Sequence, residues 1–524
     1  MKKTRKIFSK YLLLTFILTL TLSCSGTKKF MYSIPSDTDK LVGVNFNQLL
    51  DKSGFNKKKN KKIKDTFIAV LENEITAEEL NQFKKIIDDP SQSGINTQGH
   101  LCFFSSPSLA YPVFAAEVKS QKKLKKLIET LNNQGIADSL VHEKPYYYTV
   151  LAKKTFVIFD KNTFIAITVP SNKIEAAKKQ AIGLFNLPKE ESIVKNNAET
   201  FKLFKNSKED IVFYTDLEDI PSAYKRSLEQ TLKTKVDDVD IRFVSTLNFE
   251  KGETKLVVKN IDQNALYANK KNLLKPLSGS LLNLFPSNTL GLINFGINGK
   301  EVYKEMLKQE DSGINADDKD FKNFIEGING DCTFGAFTMG VNKAKPNFLV
   351  VIEANSKKID LAVELERSQL INKGNIIELK ENEYLYRNVD TRKLPLSNYL
   401  PTDVFFGLKK NYLYITSDEL IYKDLDNKID KTMKDSHLTS NLKGNMLFAT
   451  INIQEILDLP IVKIATMFGG AEAQKAIEKA SLFSHFEIKN KSNDLNVTLY
   501  QKESKETILE ILLEEIIKQL PLGL

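Results

Sequence analysis

The sequence predicts an α+β protein of two related halves, each a mostly antiparallel sheet covered by helices. Three observations predict it. Period-2 and period-3.6 apolar patterns alternate along the chain. Strand-like runs are joined in pairs by tight polar turns, which makes their pairing antiparallel. One phrase is written twice, IPSDTDKLVGVNF at 34–46 and FPSNTLGLINF at 285–295.

The phrase reads as the first strand of each half. Pro35 and Pro286 hold the preceding residue extended. Ser36–Asp37 and Ser287–Asn288 supply turn chemistry. Leu41, Val42 and Val44, like Leu292 and Ile293, predict a short buried strand, closed before a helix by Asn45–Phe46 and Asn294–Phe295. Further segments recur in the same order. LLDKSGFN at 49–56 matches MLKQEDSGIN at 306–315, and GINTQGHLC at 94–102 matches GINGDC at 327–332. PVFAAEVKS at 112–120 matches PNFLVVIEANS at 346–356, and Lys-rich helical stretches follow at 121–133 and 357–370. The runs FVIFDKNTFIAIT at 156–168 and VFFGLKKNYLYIT at 404–416 each predict a hairpin around a Lys-Asn turn. Ile174, Ala177, Ala181 and Leu184 share one face of a helix over 171–186. DIVFYTDLEDI at 210–220 matches NMLFATINIQEI at 445–456, and a last hairpin at 245–260, with Gly252 in its turn, resembles 484–501. Colinear matches argue for a duplicated domain, with a period too long for a solenoid. The first half adds helical material at about 62–88, where the second has a shorter helix at about 316–326.

These readings place an export leader at 1–23, a tether at 24–33, the halves at 34–262 and 285–501, and a connector at 263–284. The connector looks helical, interrupted around Pro276 and Gly279. Residues 502–524 form a C-terminal amphipathic helix, with Ile508, Leu509, Leu512, Leu513, Ile516, Ile517 and Leu520 on its apolar face. Glu506, Glu510, Glu514 and Glu515 make the other side, which disfavours an anionic membrane, so the helix is expected to dock on the core of the second half.

The leader has a cationic start (Lys2, Lys3, Arg5, Lys6, Lys10), an apolar stretch at 11–23 and then Cys24. TLSC at 21–24 resembles a bacterial lipobox, with Thr21 where Leu is usual. The resemblance implies cleavage before Cys24 and its acylation; the competing reading is an ordinary secretory signal. Ser25 is compatible with outer-membrane sorting by the same resemblance, and GTKKF lacks a short acidic surface-export run, which favours the periplasmic side. The net charge of +9 comes from Lys, with no nucleic-acid motif. Seven Lys crowd residues 52–64, read as a solvated run or as a basic patch near the bilayer. Cys102 and Cys332 fit two buried thiols or one disulfide.

No catalytic, cofactor or metal motif appears. His100, His142, His437 and His485 make no close ligand pair in sequence. Gly291, Gly296, Gly299 and Lys300 fail the spacing of a phosphate loop and read as a strand-to-helix turn, with Asn298 as N-cap. Asp237, Asp238 and Asp240, and Asp424, Asp426 and Asp430, lack the calcium-loop pattern and read as solvated.

The repeated phrase, Tyr32–Pro35, SGFN, GINGDCTF and LLKPLSGSLLNLFPSNTLGLINFGINGKEVYKEM together resemble a Bacteroidota cell-envelope lipoprotein family of unknown function. The resemblance implies an envelope lipoprotein of two related α+β halves and carries over no catalytic residues. The expectation is a non-enzymatic binding or structural protein, held to the outer membrane by acyl chains on Cys24, with an envelope protein as candidate partner and no nucleic acid or cofactor. The alternatives are a carrier with an apolar cavity between sheet and helices, and an enzyme with a dispersed site.

Overall fold

The computed structural model describes residues 29–57, 61, 64–65, 68, 72, 76–98, 100–196, 201–202, 204, 208–216, 226, 242–260, 271–308, 315–338, 347–367, 375–387, 403–427, 429–491, 494–503 and 505–519. The leader, Cys24, the Asp237–Asp240 cluster and Leu520 lie outside them. The chain divides into two units, Met1–Ala265 with Ser504–Leu524, and Leu266–Glu503.

The first unit is built on β1 (Lys40–Asn45), β2 (His100–Ser105), β3 (Val113–Glu117), β4 (Val141–Glu143), β5 (Tyr146–Leu151), β6 (Thr155–Phe159), β7 (Thr163–Thr168), β8 (Ile211–Asp216), β9 (Arg242–Glu250) and β10 (Glu253–Asn260). They lie in the order β4-β5-β6-β7-β3-β2-β1-β8-β9-β10, every pair antiparallel. Among the described residues six helices accompany them: α1 (Phe46–Lys52), α2 (Ala77–Asp88), α3 (Gln121–Asn133), α4 (Ile174–Phe185), α5 (Ile193–Asn196) and a C-terminal helix (Ile508–Gln519). The starts of α1, α2 and α3 have a local cause. Asn45 Oδ1 accepts the Gln48 N–H at 3.3 Å, Thr76 and Glu79 form a capping box, and Ser120 Oγ accepts the Lys123 N–H.

Strands β6 and β7 read as continuous apolar runs because both of their faces are covered. Val157, Phe159, Phe164 and Ala166 join Phe83, Ile87, Leu127 and Leu131 of α2 and α3 in one core. Phe156, Ile158, Ile165 and Ile167 join Ala177, Ala181 and Leu184 of α4 in the other. Truncating a residue such as Leu127 to Ala would cost about 2–5 kcal/mol. The Lys161–Asn162 turn of this hairpin is held by Asp160, whose Oδ1 accepts the Asn162 and Thr163 N–H groups at 2.7 and 2.6 Å.

The C-terminal helix (Ile508–Gln519) corrects two expectations. It docks on the first unit, not on the core of the second. Thr507 Oγ1 donates to the Lys52 carbonyl, Leu513 packs against the α2–α3 core, and Lys57 pairs with Glu510. Glu510, expected on the solvated side, is buried. The reason is that Lys57, far away in sequence, neutralises it where it lands.

The second unit is built on β11 (Leu274–Lys275), β12 (Thr289–Asn298), β13 (Ile328–Phe337), β14 (Asn347–Ala354), β15 (Ile376–Lys380), β16 (Glu383–Tyr386), β17 (Val404–Lys409), β18 (Tyr412–Thr416), β19 (Leu447–Asn452), β20 (Phe483–Lys491) and β21 (Asp494–Gln501). The order is β15-β16-β17-β18-β14-β13-β12-β19-β20-β21, again antiparallel, with β11 beside the end of β12. Position for position this is the order of the first unit. Helices α6 (Gly299–Leu307), α7 (Lys319–Gly327), α8 (Leu361–Arg367), α9 (Glu419–Asp424), α10 (Ile453–Leu457), α11 (Pro460–Phe468) and α12 (Gly470–Ala480) complete it.

Three further readings change. Asn294–Phe295 does not end the strand; β12 runs on to Asn298, and Ile293, expected buried, is 45 % exposed. Gly291 and Gly296 therefore lie within the strand, and only Gly299 opens the helix. Asn298 precedes α6, but its amide donates to the Asn272 carbonyl and does not cap. The described part of the connector forms two short 3-10 turns around β11, as Pro276 and a left-handed Gly279 would impose. Cys102 and Cys332 are free and buried, and burial pushes their thiols up to about 12 and about 11.

Candidate functional site

The repeated phrase forms one wall of a cleft in each unit. In the first unit, the Pro35 carbonyl accepts the Thr38 hydroxyl at 2.7 Å and so closes the turn before β1. The segment leading into α5 is stitched to the same residues: Ile193 N–H donates to the Ile34 carbonyl at 2.9 Å, and Ser36 N–H to the Glu191 carbonyl at 2.8 Å. The opposite wall is α4, fixed by Gln180, whose amide nitrogen donates to the Tyr111 carbonyl at 2.8 Å while its oxygen accepts the Tyr111 N–H at 3.2 Å. Between these walls lies a cleft of about 610 Å³ whose surface is mostly apolar, from Leu109, Ala176, Leu184 and Leu187, with Asp37, Ser108, Lys179, Gln180 and Glu191 among its lining. Burial would raise Asp37, but hydrogen bonds from Ser106 and Ser108 outweigh it and hold the carboxyl below its ordinary value. Asp37 is thus an anion at neutral pH.

The second unit repeats the stitching. Thr289 Oγ1 donates to the Pro286 carbonyl at 2.6 Å, Met433 N–H to the Phe285 carbonyl at 2.8 Å, and Ser287 N–H to the Lys431 carbonyl at 3.0 Å. The space there is smaller, about 240 Å³, and as apolar as the first, between Phe337, Ile421, Leu425 and Ile429. That is below the usual size of a small-molecule pocket. Residues lining the larger cleft include no His or Cys. Its groups suit hydrogen bonding and charge recognition.

Buried chemistry separates the units more sharply. Thr333 faces Asn294 across β13–β12, Thr450 faces Glu487 across β19–β20, and Glu487 faces Thr498 across β20–β21. All five are nearly inaccessible to solvent. The Asn294 amide and the Thr333 and Thr450 hydroxyls have no hydrogen-bond partner among the described residues. The corresponding register positions of the first unit hold Gly43, Cys102, Tyr214, Val244 and the exposed Lys259. A Cβ on Gly43 would meet the Phe204 ring at 2.4 Å, so only glycine lets that ring seal the apolar version.

Two groupings escaped sequence reasoning. His437 and His485 lie with ring centroids 5.4 Å apart, and His485 stacks on Tyr500 at 4.2 Å. Burial, reinforced by His437, lowers His485 to about 4. Glu506, Glu510 and Glu514 bring carboxylate oxygens within 4.8 Å of one another. Their four-residue spacing was visible, yet it read as a polar helix face; the cation at hand is Lys57 on Glu510. His100 is half-buried beside Phe204, its Nε2 within 3.2 Å of the Glu209 carbonyl, and His142 stacks on Tyr147. Asp426, read as solvated, pairs with buried Lys409 at 2.6 Å. Of the Lys-rich run, Lys52, Lys57 and Lys64 are paired with carboxylates. No helix among the described residues is long and apolar enough to cross a membrane.

Fold and site thus define an α+β protein with antiparallel strands throughout, one strand order in each unit, and a cleft at a repeated turn. The chain belongs to the family described as a domain of unknown function, DUF4836, whose profile matches residues 30–508. No curated protein matches it. Among solved structures it is similar to crystal form I of TP0453, with 10 % identity, a TM-score of 0.26, and coverage of 48 % of this chain and 88 % of that one. Crystal form IV gives 12 %, 0.26, 44 % and 81 %, and crystal form III 10 %, 0.21, 75 % and 94 %.

Proposed function

We propose that the chain is a lipid-anchored envelope protein, without catalytic activity, that binds a small amphipathic molecule or a short peptide in the cleft beside Pro35. The observation that carries the reading is the stitched cleft itself: rigid walls, an anionic Asp37, and Lys179 and Gln180 on one helix face. A volume of about 610 Å³ is in the range of ligand pockets. The two units derive from one duplicated ancestor, a reading supported by their common strand order. The first copy kept an open cleft, and the second filled most of its own. The anchor is Cys24, with the protein on the periplasmic side of the outer membrane, as the lipobox resemblance, Ser25 and the lack of an acidic run suggest.

The test is a thermal-shift search over small amphipathic molecules and short peptides, repeated on Gly183→Trp. Gly183 lines the cleft, and a Cβ there meets nothing within 4 Å, so the bulky side chain fills the site without forcing the fold. A ligand whose shift is lost in the variant supports the reading. A ligand that shifts both proteins alike would place the binding site elsewhere. Mass spectrometry of the mature N-terminus tests the anchor: an unmodified N-terminus would remove it.

A further inference from the structure

Helices α11 and α12 form a hairpin whose apolar side faces the wrong way for a soluble protein. Neither helix buries a residue. The residues in α11 that are sheltered are Val462 and Thr466, and those in α12 are Ala473, Ile477 and Ala480. Outward, at helical spacing, stand Ile461, Ile464 and Phe468, with Met467 beside them. Their exposures are 53, 54, 86 and 77 %. An amphipathic surface helix turns such a stripe toward the core. The turn between the helices is tight: a Cβ on Gly469 would meet Ala473 Cβ at 2.5 Å and the Ala465 carbonyl at 2.6 Å, and Gly470 has φ +69°. The two glycines let α11 end abruptly and leave Met467 and Phe468 at the tip.

We propose that this hairpin is a second membrane contact, which places Met467 and Phe468 in the interfacial region of a phospholipid bilayer. Charge points to lipid as the occupant. From Leu459 to Ala471 the sole charged residue is Lys463, and no acid lies between Asp458 and Glu472. A lone Lys on an apolar face can bury its stem and reach lipid phosphate with its ammonium. The chain outside the described residues points the same way. Its apolar run at 11–23 and Cys24 precede Lys29, the first described residue, by a few positions. The proposal rests on the lipid-anchored reading only for the bilayer being at hand. Membrane association held by two separate apolar signals is far more durable than by one.

The chain contains no Trp, so Phe468→Trp creates a single reporter. The acylated protein, purified from its envelope, is reconstituted into phosphatidylethanolamine–phosphatidylglycerol vesicles with and without acyl-brominated lipid. The expected result is a blue-shifted emission, quenched about twofold or more by the brominated lipid. Adding Ile464→Glu and Met467→Glu returns the emission to that of an indole in water, with urea unfolding unchanged. An acylated protein whose Trp stays unshifted and unquenched overturns the hairpin contact and leaves the anchor standing. An unacylated N-terminus with a quenched Trp does the reverse. A blue shift that appears without vesicles and grows with protein concentration also overturns the proposal, in favour of a second copy as the occupant.

Discussion

Replacing Lys52 with Met is expected to destabilise the first unit by about 3–5 kcal/mol. Lys52 ends α1 and meets two acids from other strands. Its Nζ lies 2.9 Å from Asp210 Oδ2 and 2.6 Å from Glu250 Oε1. The Asp210 side chain is wholly buried, and besides Lys52 its Oδ2 accepts one N–H, from Phe249 at 2.7 Å. Its Oδ1 has no hydrogen-bond partner among the described residues. Removing the ammonium therefore leaves a buried carboxylate with a single donor. Glu250 is more than half exposed, so its share of the loss is under about 1 kcal/mol. Met preserves most of the packing of the Lys stem. The assay is urea unfolding followed by circular dichroism. Asp210→Asn added to Lys52→Met should recover the stability to within about 1 kcal/mol, because an amide is cheaper to bury than a charge. A loss below about 1 kcal/mol in the single variant, or no recovery in the double, would refute the reasoning. Alkali gives an independent check. Burial would lower Lys52, but its bonds to Glu250 and Asp210 outweigh it and hold the ammonium above its ordinary value. Its contribution is complete below the unfolded value, about 10.4, and is lost as pH rises through the higher folded value.

Other outcomes are equally checkable. Gly183→Ala is expected to stabilise the first unit by about 0.5–1 kcal/mol in the same urea assay, since Ala is the better helix former and has room; a loss would mean that the cleft wall is closed there. His485, lowered by burial to about 4, keeps the folded state neutral while the unfolded chain takes up a proton. Stability of the second unit should thus be full above about 6.5 and fall, by on the order of 2 kcal/mol, as pH drops toward 4; His485→Gln should flatten that slope. Cys102 and Cys332 should resist iodoacetamide at pH 8 in the folded protein and react fully in urea, because buried thiols raised to about 12 and about 11 hold almost no thiolate.

Local chemistry made much of the fold legible. Lys410–Asn411 and Gly252 marked hairpins that form where expected, the former with Lys410 at φ +45° and the latter at φ +82°. Ala177, Ala181 and Leu184 do face a core. Distant pairing was not legible. The fate of Glu510 depends on Lys57, and the polar row of Asn294, Thr333, Thr450, Glu487 and Thr498 forms only once five strands are in register. Matching Cys102 with Cys332 was off by one position: Cys102 faces Gly43, whereas Cys332 faces Phe295 and Thr333 faces Asn294. The phrase read as scaffold and not as site. Its strand is scaffold, but its Pro-Ser-Asp turn walls a cleft of about 610 Å³, a role no motif announces.

The last helix of the first unit is written after the whole of the second, and this sets an order of assembly. A chain is made from its N-terminus. The contacts of Lys52 with Thr507 and of Lys57 with Glu510 span 455 and 453 residues, so they are among the last the chain can close. Until then the surface that receives Leu513 waits uncovered while an entire second core is produced. A ribosome that stops after β21 would release a chain with one finished unit and one unfinished one. The helix at 508–519 therefore works as a seal of completion: until it docks, quality control meets the first unit with its side open.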